Sequence, residues 1–360
     1  MATERLPVEH VVDYGNRADW LAARRSGIGA SESAALFGLS PYQSRFSLWL
    51  IKSGRVPEWE PEGDVAERLR WGQLLEGPIA DEHALRTGRK LWRFSSFCIA
   101  QHPQLPCMFA TPDGFIIEAP DRRAMGLAEE GTLQIKNTAN VFDPDGWSAG
   151  VPQHVQIQVQ HELAVTGRDY ATVATLAMGN KLMTWDVPRL DGFIEELQIQ
   201  VETFWESVQS GQEPEVDGHP RTLEALKRLH PKDNGCVVNL PGGALEAWDQ
   251  LRAAKEAGKA AERLQAVAEA RVKAWLGPNT FGVLPDGTRL SYKTIDNPGY
   301  TNVVPPYSYR MLRQTKEPLP AERAPEPPPG GPPELTSVPS DDLTVARKAA
   351  RKPSKKGKAA

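Results

Sequence analysis

The residues whose types and spacing could do chemistry fall in two short segments, "ATPDGFIIEAP" at 110–120 and "GTLQIKNT" at 131–138. Both read as strands, joined by a polar stretch into one hairpin. Side chains alternate along a strand, so Gln134 and Lys136 share a face while Ile135 points to the core. If the strands pair symmetrically about the loop, Asp113 falls opposite residues 134–136. An acid, an amide oxygen and a lysine then converge. Such a cluster suits phosphodiester hydrolysis: carboxylates hold a divalent metal, the metal activates water and takes up developing charge, and lysine stabilises or orients the nucleophile. Hard oxygen ligands imply Mg2+, or Mn2+.

Each fragment alone says little. Pro-Asp-Gly is first of all a turn signal, and "LPDGTRLSYK" at 284–293 carries the same tripeptide and a later lysine. There Ser291 stands two before the lysine, a poor metal ligand, and the run reads as a plain hairpin. Gln134 raises the opposite question, since its oxygen is neutral and cannot accept a proton. Glu130 has the same strand parity, but at four residues' distance it lies about 13 Å away.

These strands need elements to position them. Helix patterns cover 18–27, 29–38 and 44–54, with a Gly-Ile-Gly turn between the first two, and a longer pattern at 63–88 is interrupted by Pro78. Strand signals follow at 91–100, 108–119 and 131–137, then a helix at 152–167 and strands at 170–179 and 182–189. Helices, a meander of strands, then a helix and further strands make an α+β (mixed α/β) pattern rather than a regular β-α alternation. The stretch near Gln212 reads as a linker. Beyond it, 242–277 reads as one amphipathic helix that could break near Gly258, and 280–296 as a hairpin around Pro-Asp-Gly. Residues 316–360 are Pro-rich and end in the basic run "RKAARKPSKKGKAA", a composition expected to stay disordered. That run either holds phosphates loosely or keeps the chain soluble. The expected divisions are therefore 1–211, 212–315 and 316–360.

The net charge of −4 is slightly acidic, and no apolar run is long enough to span a membrane. The charged start lacks a secretory signal, so a cytoplasmic location is expected. Three cysteines, Cys98, Cys107 and Cys236, form no C-x-x-C pair, which argues against a disulfide framework or a zinc site.

Five segments in order, "RRSGIGASESAALFGLSPYQSRFSLWLIKSGR", "RWGQLLEGPIADEHALRTGR", "HPQLPCMFATPDGFI", "GTLQIKN" and "VQIQVQHELAVTG", resemble the YqaJ-type viral recombinase family. These are phage alkaline exonucleases related to lambda exonuclease, within the PD-(D/E)XK nuclease superfamily. The resemblance covers about 19–211. It implies a restriction-endonuclease-like core, a central mixed sheet flanked by helices. It implies an enzyme that degrades one strand of duplex DNA from a 5′ end, leaving tails for an annealing protein, and in some members a trimeric ring. Residue by residue, it assigns Glu76 and Asp113 to the metal site, Ile135 to it through its carbonyl, Lys136 to catalysis, and Gln158 to positioning water or phosphate. Thr111 would meet a phosphate. Arg25, with Arg24 competing for the role, and Ser31 at a helix N-terminus would receive the terminal 5′ phosphate. Ser31 and Glu32 also fit a helix cap. Gln134 departs from the family's glutamate, though Mrr-like nucleases resemble this arrangement with a Q-x-K strand. Gln134 is read as a native neutral ligand, with an inactive DNA-binding relative and an endonuclease or nickase of the same fold as alternatives. Trp49, Trp71 and Trp92 read as core.

Overall fold

The computed structural model describes residues 10–57, 61–94, 97–139 and 147–294. The Pro-rich segment and basic tail lie outside them. The chain opens with β1 (Val11–Asp13), α1 (Arg17–Arg24) and the two-residue β2 (Ile28–Gly29). A 3-10 turn (Ala30–Glu32) leads into the one-turn α2 (Ser33–Leu36), followed by α3 (Arg45–Lys52) and the long α4 (Gly63–Thr87). Then come β3 (Lys90–Trp92), β4 (Cys98–Gln101), β5 (Met108–Ala110), β6 (Gly114–Glu118), the short α5 (Pro120–Ala124) and β7 (Gly131–Thr138). Helix α6 (Gln153–Thr166), β8 (Tyr170–Ala177), β9 (Lys181–Pro188), α7 (Asp191–Ser210) and α8 (Pro220–Leu229) follow. The last described elements are α9 (Gly243–Leu276), β10 (Phe281–Val283) and β11 (Arg289–Ser291).

A five-stranded mixed sheet, in the order β3-β6-β7-β8-β9, carries the centre of the fold. Only β7 and β8 in it run parallel. A parallel pair needs a crossover, and α6 supplies it. Helix α4 covers one face: Ile79 and Ala80 pack with Leu133, Ile135, Tyr170 and Ala174. On the other face α6 contributes Val155, Val159 and Leu163 to the main core, which also takes in Trp49, Val201 and Phe204. A second sheet, β1-β4-β5-β2, presents Ala100, Met108 and Ala110 to that core. Helices flanking a mixed sheet are the mixed α/β class expected.

Two close approaches fix the backbone near the site. A methyl on Gly27 would lie 2.3 Å from the Cys107 carbonyl oxygen, the acceptor for Ile28 N–H at 2.7 Å. A methyl on Gly131 would strike the Tyr170 ring at 2.6 Å. Only glycine lets β2 join β5, and β7 meet the start of β8, at these distances.

Several expectations need correction. Pro78 does not interrupt α4. Pro78 and Leu74, the residue whose carbonyl loses its partner, are both exposed, so water can take that carbonyl. Gly258 does not break α9. Trp49 is fully buried and Trp92 packs against the core, but Trp71 is 51% exposed and donates to Glu67 at 2.8 Å one turn back on α4.

The chain divides into two compact units. The first runs through His230, because α8 packs on α3 with Thr222 and Ala225 buried and Ser44 bonded to Thr222. The second, from Pro231, holds α9 and the antiparallel β10–β11 hairpin. Among the described residues no helix is long and apolar enough to cross a membrane.

Candidate active site

The hairpin pairs β6 and β7 in the register Gly114↔Leu133, Phe115↔Thr132, Ile116↔Gly131. One step beyond its last pair stand Asp113 and Gln134, as symmetric pairing predicts. Asp113 accepts two hydrogen bonds on Oδ2, from the Gln134 amide at 2.5 Å and from Ile135 N–H at 2.7 Å. In a strand a residue's N–H and C=O point to the same side. The Ile135 carbonyl therefore faces the edge that β6 has already left, where Gln134 Nε2 makes a long contact with it at 3.4 Å.

Alternation puts Leu133 and Ile135 under α4 and turns Gln134 and Lys136 toward α6. Lys136 Nζ donates to Gln158 Oε1 at 3.0 Å. Gln158 Nε2 donates to Gln134 Oε1 at 2.9 Å and to Glu162 Oε1 at 3.0 Å. The lysine has no acceptor, so it fixes which end of Gln158 faces it, and Gln158 in turn fixes Gln134. The consequence differs from the sequence reading: Gln134 shows its nitrogen, not its oxygen, to Asp113.

Asp113, Gln134, Gln158 and Glu162 line a cleft of about 180 Å³ whose other wall is Arg24, Gly29, Ala30, Ser31, Phe109 and Thr111, while Lys136 meets it through Gln158. Thr111 Oγ1 donates to the Cys98 carbonyl at 3.2 Å at its edge. Arg24, stacked over Trp20 at 4.8 Å, is the arginine of this cleft; Arg25 is exposed at the end of α1 and does not line it. Ser31 lines the cleft from the 3-10 turn that leads directly into α2, at the N-terminal end of that short helical segment. Glu32 is occupied: it accepts from Gly29 N–H at 2.8 Å and pairs with buried Lys52 at 2.9 Å, which holds the turn against α3.

Helix α6 is tied down behind the site. His161 Nε2 bonds the Phe109 carbonyl at 3.0 Å, an acceptor only, so its Nδ1 accepts from Ser33 Oγ at 2.5 Å. Burial pushes the His161 pKa down to about 3, so the ring is neutral and structural.

The acids share one electrostatic problem. Burial raises the Asp113 pKa against the pull of Lys136, the Ile135 N–H and Arg93. Glu76, half-buried on α4, is pushed up to about 7 by burial and by Asp113, with Arg93 and Lys136 opposing. Glu162 is pushed up to about 8 by burial and by Asp113, opposed by Lys136 and Gln158. Glu129 and Glu130 cannot relieve the missing strand carboxylate: Glu129 is held by Arg123 at 2.5 and 2.7 Å, and Glu130 pairs with Arg168.

The sequence pattern assigns no role to Glu162 or to Arg93. The structure buries Glu162 fully. Arg93, exposed in the turn after β3, lays its stem against Gly114, and its guanidinium reaches toward Gly77 beside Glu76. Only the i, i+4 spacing of Glu162 to Gln158 hinted at the first; nothing local marked the second.

Among the described residues no group of three or more His, Cys, Asp or Glu is gathered closely enough to hold an ion. The oxygens on offer are the Asp113 and Glu162 carboxylates, which line the same cleft, and the carbonyl of Ile135, whose N–H bonds Asp113. That hard set matches a cation that takes one or two carboxylates and completes its shell with water and substrate phosphate.

The model of the YqaJ-like viral recombinase domain matches residues 19–169. The chain is 31% identical over 245 residues to the uncharacterized protein YqaJ of Bacillus subtilis, covering 67% of this chain and 72% of that protein. Among solved structures it is similar to an alkaline exonuclease, LHK-Exo, from Laribacter hongkongensis. That match has a TM-score of 0.44 and 19% identity, covering 54% of this chain and 94% of the other. It is also similar to a phage related exonuclease from Haemophilus somnus 129PT, with a TM-score of 0.37 and 10% identity, over 52% of this chain and 96% of the other.

Proposed function

The chain belongs to the YqaJ-like viral recombinase family, and from that premise we propose that it is a metal-dependent nuclease that degrades linear duplex DNA from 5′ ends. The observation that carries this is the unbroken chain of hydrogen bonds from Lys136 through Gln158 and Gln134 to Asp113, whose last three members line an open cleft. Asp113 and the Ile135 carbonyl, with Glu76 from α4, would hold a magnesium or manganese ion, which would supply Lewis acidity toward a phosphodiester and its attacking water. Lys136 brings a cation that steadies developing negative charge. Gln158 holds that ammonium in place and keeps it from collapsing onto Asp113. Arg24, Ser31 and Thr111 line the side of the cleft that would take a 5′ phosphate, Arg24 through its fork of donors. The single-stranded tails produced suit an annealing protein, and a trimer around the duplex belongs to the same reading.

Linear duplex carrying a 5′ phosphate and a label at one end or the other, set against covalently closed circles, tests the reading. The expected result is loss of the 5′ label first, in magnesium or manganese, with circles intact. Cutting of closed circles would favour an endonuclease or nickase. Duplex binding without cleavage in either metal would favour a binding protein, the reading that the neutral Gln134 supports.

A further inference from the structure

We propose that Glu162 is the second acidic ligand of the cation, and that Gln134 is a positioning residue that holds Asp113 rather than a ligand itself. The inference rests on the metal-dependent reading above. Its first support is the direction of the amides. Lys136 only donates, so Gln158 turns its oxygen to Lys136 and its nitrogen to Gln134, and Gln134 is left with its nitrogen against Asp113. A nitrogen with two hydrogens cannot coordinate. A flip of Gln134 would set its nitrogen against the Gln158 nitrogen and its oxygen against the Asp113 carboxylate, costing both bonds.

The second support is Glu162 itself. The side chain is fully buried, lines the same cleft as Asp113, and has one oxygen engaged: Oε1 accepts from Gln158, while Oε2 has no partner among the described residues. A buried carboxylate oxygen left unbonded costs free energy unless a ligand takes it. Glu162 lies one turn beyond Gln158 on α6, so both project to the same side. Of the other carboxylates near β7 and the turn before α2, Glu32 is engaged by Gly29 and Lys52, Glu129 by Arg123 and Glu130 by Arg168, and Glu76, on α4, is not among the residues that line the cleft. The charge absent from β7 thus returns on α6. Asp113 and Glu162 then make the two carboxylates a hard divalent cation commonly uses, with the Ile135 carbonyl, water and phosphate for the rest.

Calorimetric titration of the full chain with Mn2+, without DNA, tests this in the wild type, in Glu162→Gln and in the double exchange Gln134→Glu with Glu162→Gln. Glutamine keeps the size of Glu162 and its place in the network, so the metal-free melting temperature of Glu162→Gln should hold or rise. Its Mn2+ affinity should fall roughly tenfold or more, and the double exchange should bring affinity back toward wild type. Wild-type affinity in Glu162→Gln overturns the inference and leaves the Asp113-based reading standing. A loss that comes with a lowered metal-free melting temperature, and that the double exchange does not recover, marks a structural role and also overturns it. No Mn2+ binding by the wild type defeats the metal-dependent reading, and this inference with it.

Discussion

Asp113 is the residue on which the site turns, because the strand end that holds it also holds its two donors, Gln134 and Ile135. Asp113→Ala should reduce cleavage of linear duplex by roughly 10³-fold or more, and Lys136→Met by roughly 10²-fold, in steady-state release of nucleotides. The raised pKa values give the pH dependence its sign. A cation needs ionised oxygens, and Glu76 and Glu162 keep protons up to about 7 and about 8. Cleavage should therefore rise from pH 6 to pH 9; a flat or falling profile would contradict the assignment. The metal-free fold should show the opposite trend. A carboxyl whose folded pKa is raised contributes stability that is complete below its unfolded value and is lost as pH climbs through the folded one. Melting temperature without metal should thus fall across the window from about 4.5 to about 8, and Mn2+ should offset the loss at the upper end. Asp113, Gln134 and Lys136 were legible because strand alternation is short-range. Glu162 was not, since a glutamate on a helix looks the same whether it faces water or a buried cleft.

Among the elements, β7 does most of the positioning, and its neighbours are chosen to fit it. Gly131 opens the strand directly over Tyr170. Gly131→Ala should cost about 1–3 kcal/mol in denaturant unfolding, the range for overpacking. Near the same Tyr170 ring, 5.8 Å from its centroid, Arg89, 6% exposed, bonds Asp121, Thr172 and Asp186, fastening α5 and β9 to the residues before β3. Arg89→Met should destabilise by about 2–4 kcal/mol, below the figure for a fully buried pair because Asp121 is 38% exposed. Nothing in the sequence shows this network, since its members lie far apart along the chain. The hairpin pairing and α6 were legible, because period and turn signals agree there. The continuity of α4 was not: proline chemistry argues for a break, and only the exposure of its outer side removes the cost. Helix α7 went unremarked although Ile194, Leu197, Val201 and Phe204, all buried, have helical spacing; its signal was present and unused.

Over the whole molecule, the proposed DNA substrate would have to be met through local charge, because the net charge of −4 gives no attractive overall field. Arg24 lines the cleft, and Arg93 lies near enough to Asp113 and Glu76 to pull their pKa values down. Replacing either by Ala should weaken duplex binding without altering sequence preference and reduce the salt slope of log K by about 1. The first unit contains the whole site, while the long α9 and its hairpin form a unit of their own, with Leu245, Leu264 and Trp275 exposed on the helix. That division follows from burial of α8 against α3, which a Pro- and Gly-rich stretch near Gln212 does not reveal. The measurement that bears most directly on the central claim is nucleotide release from 5′-phosphorylated linear duplex by the wild type and Asp113→Ala, with magnesium, manganese or chelator. Release by the wild type in either metal, abolished by chelator and by Asp113→Ala, is the predicted result. Release that persists in chelator or in Asp113→Ala would contradict it.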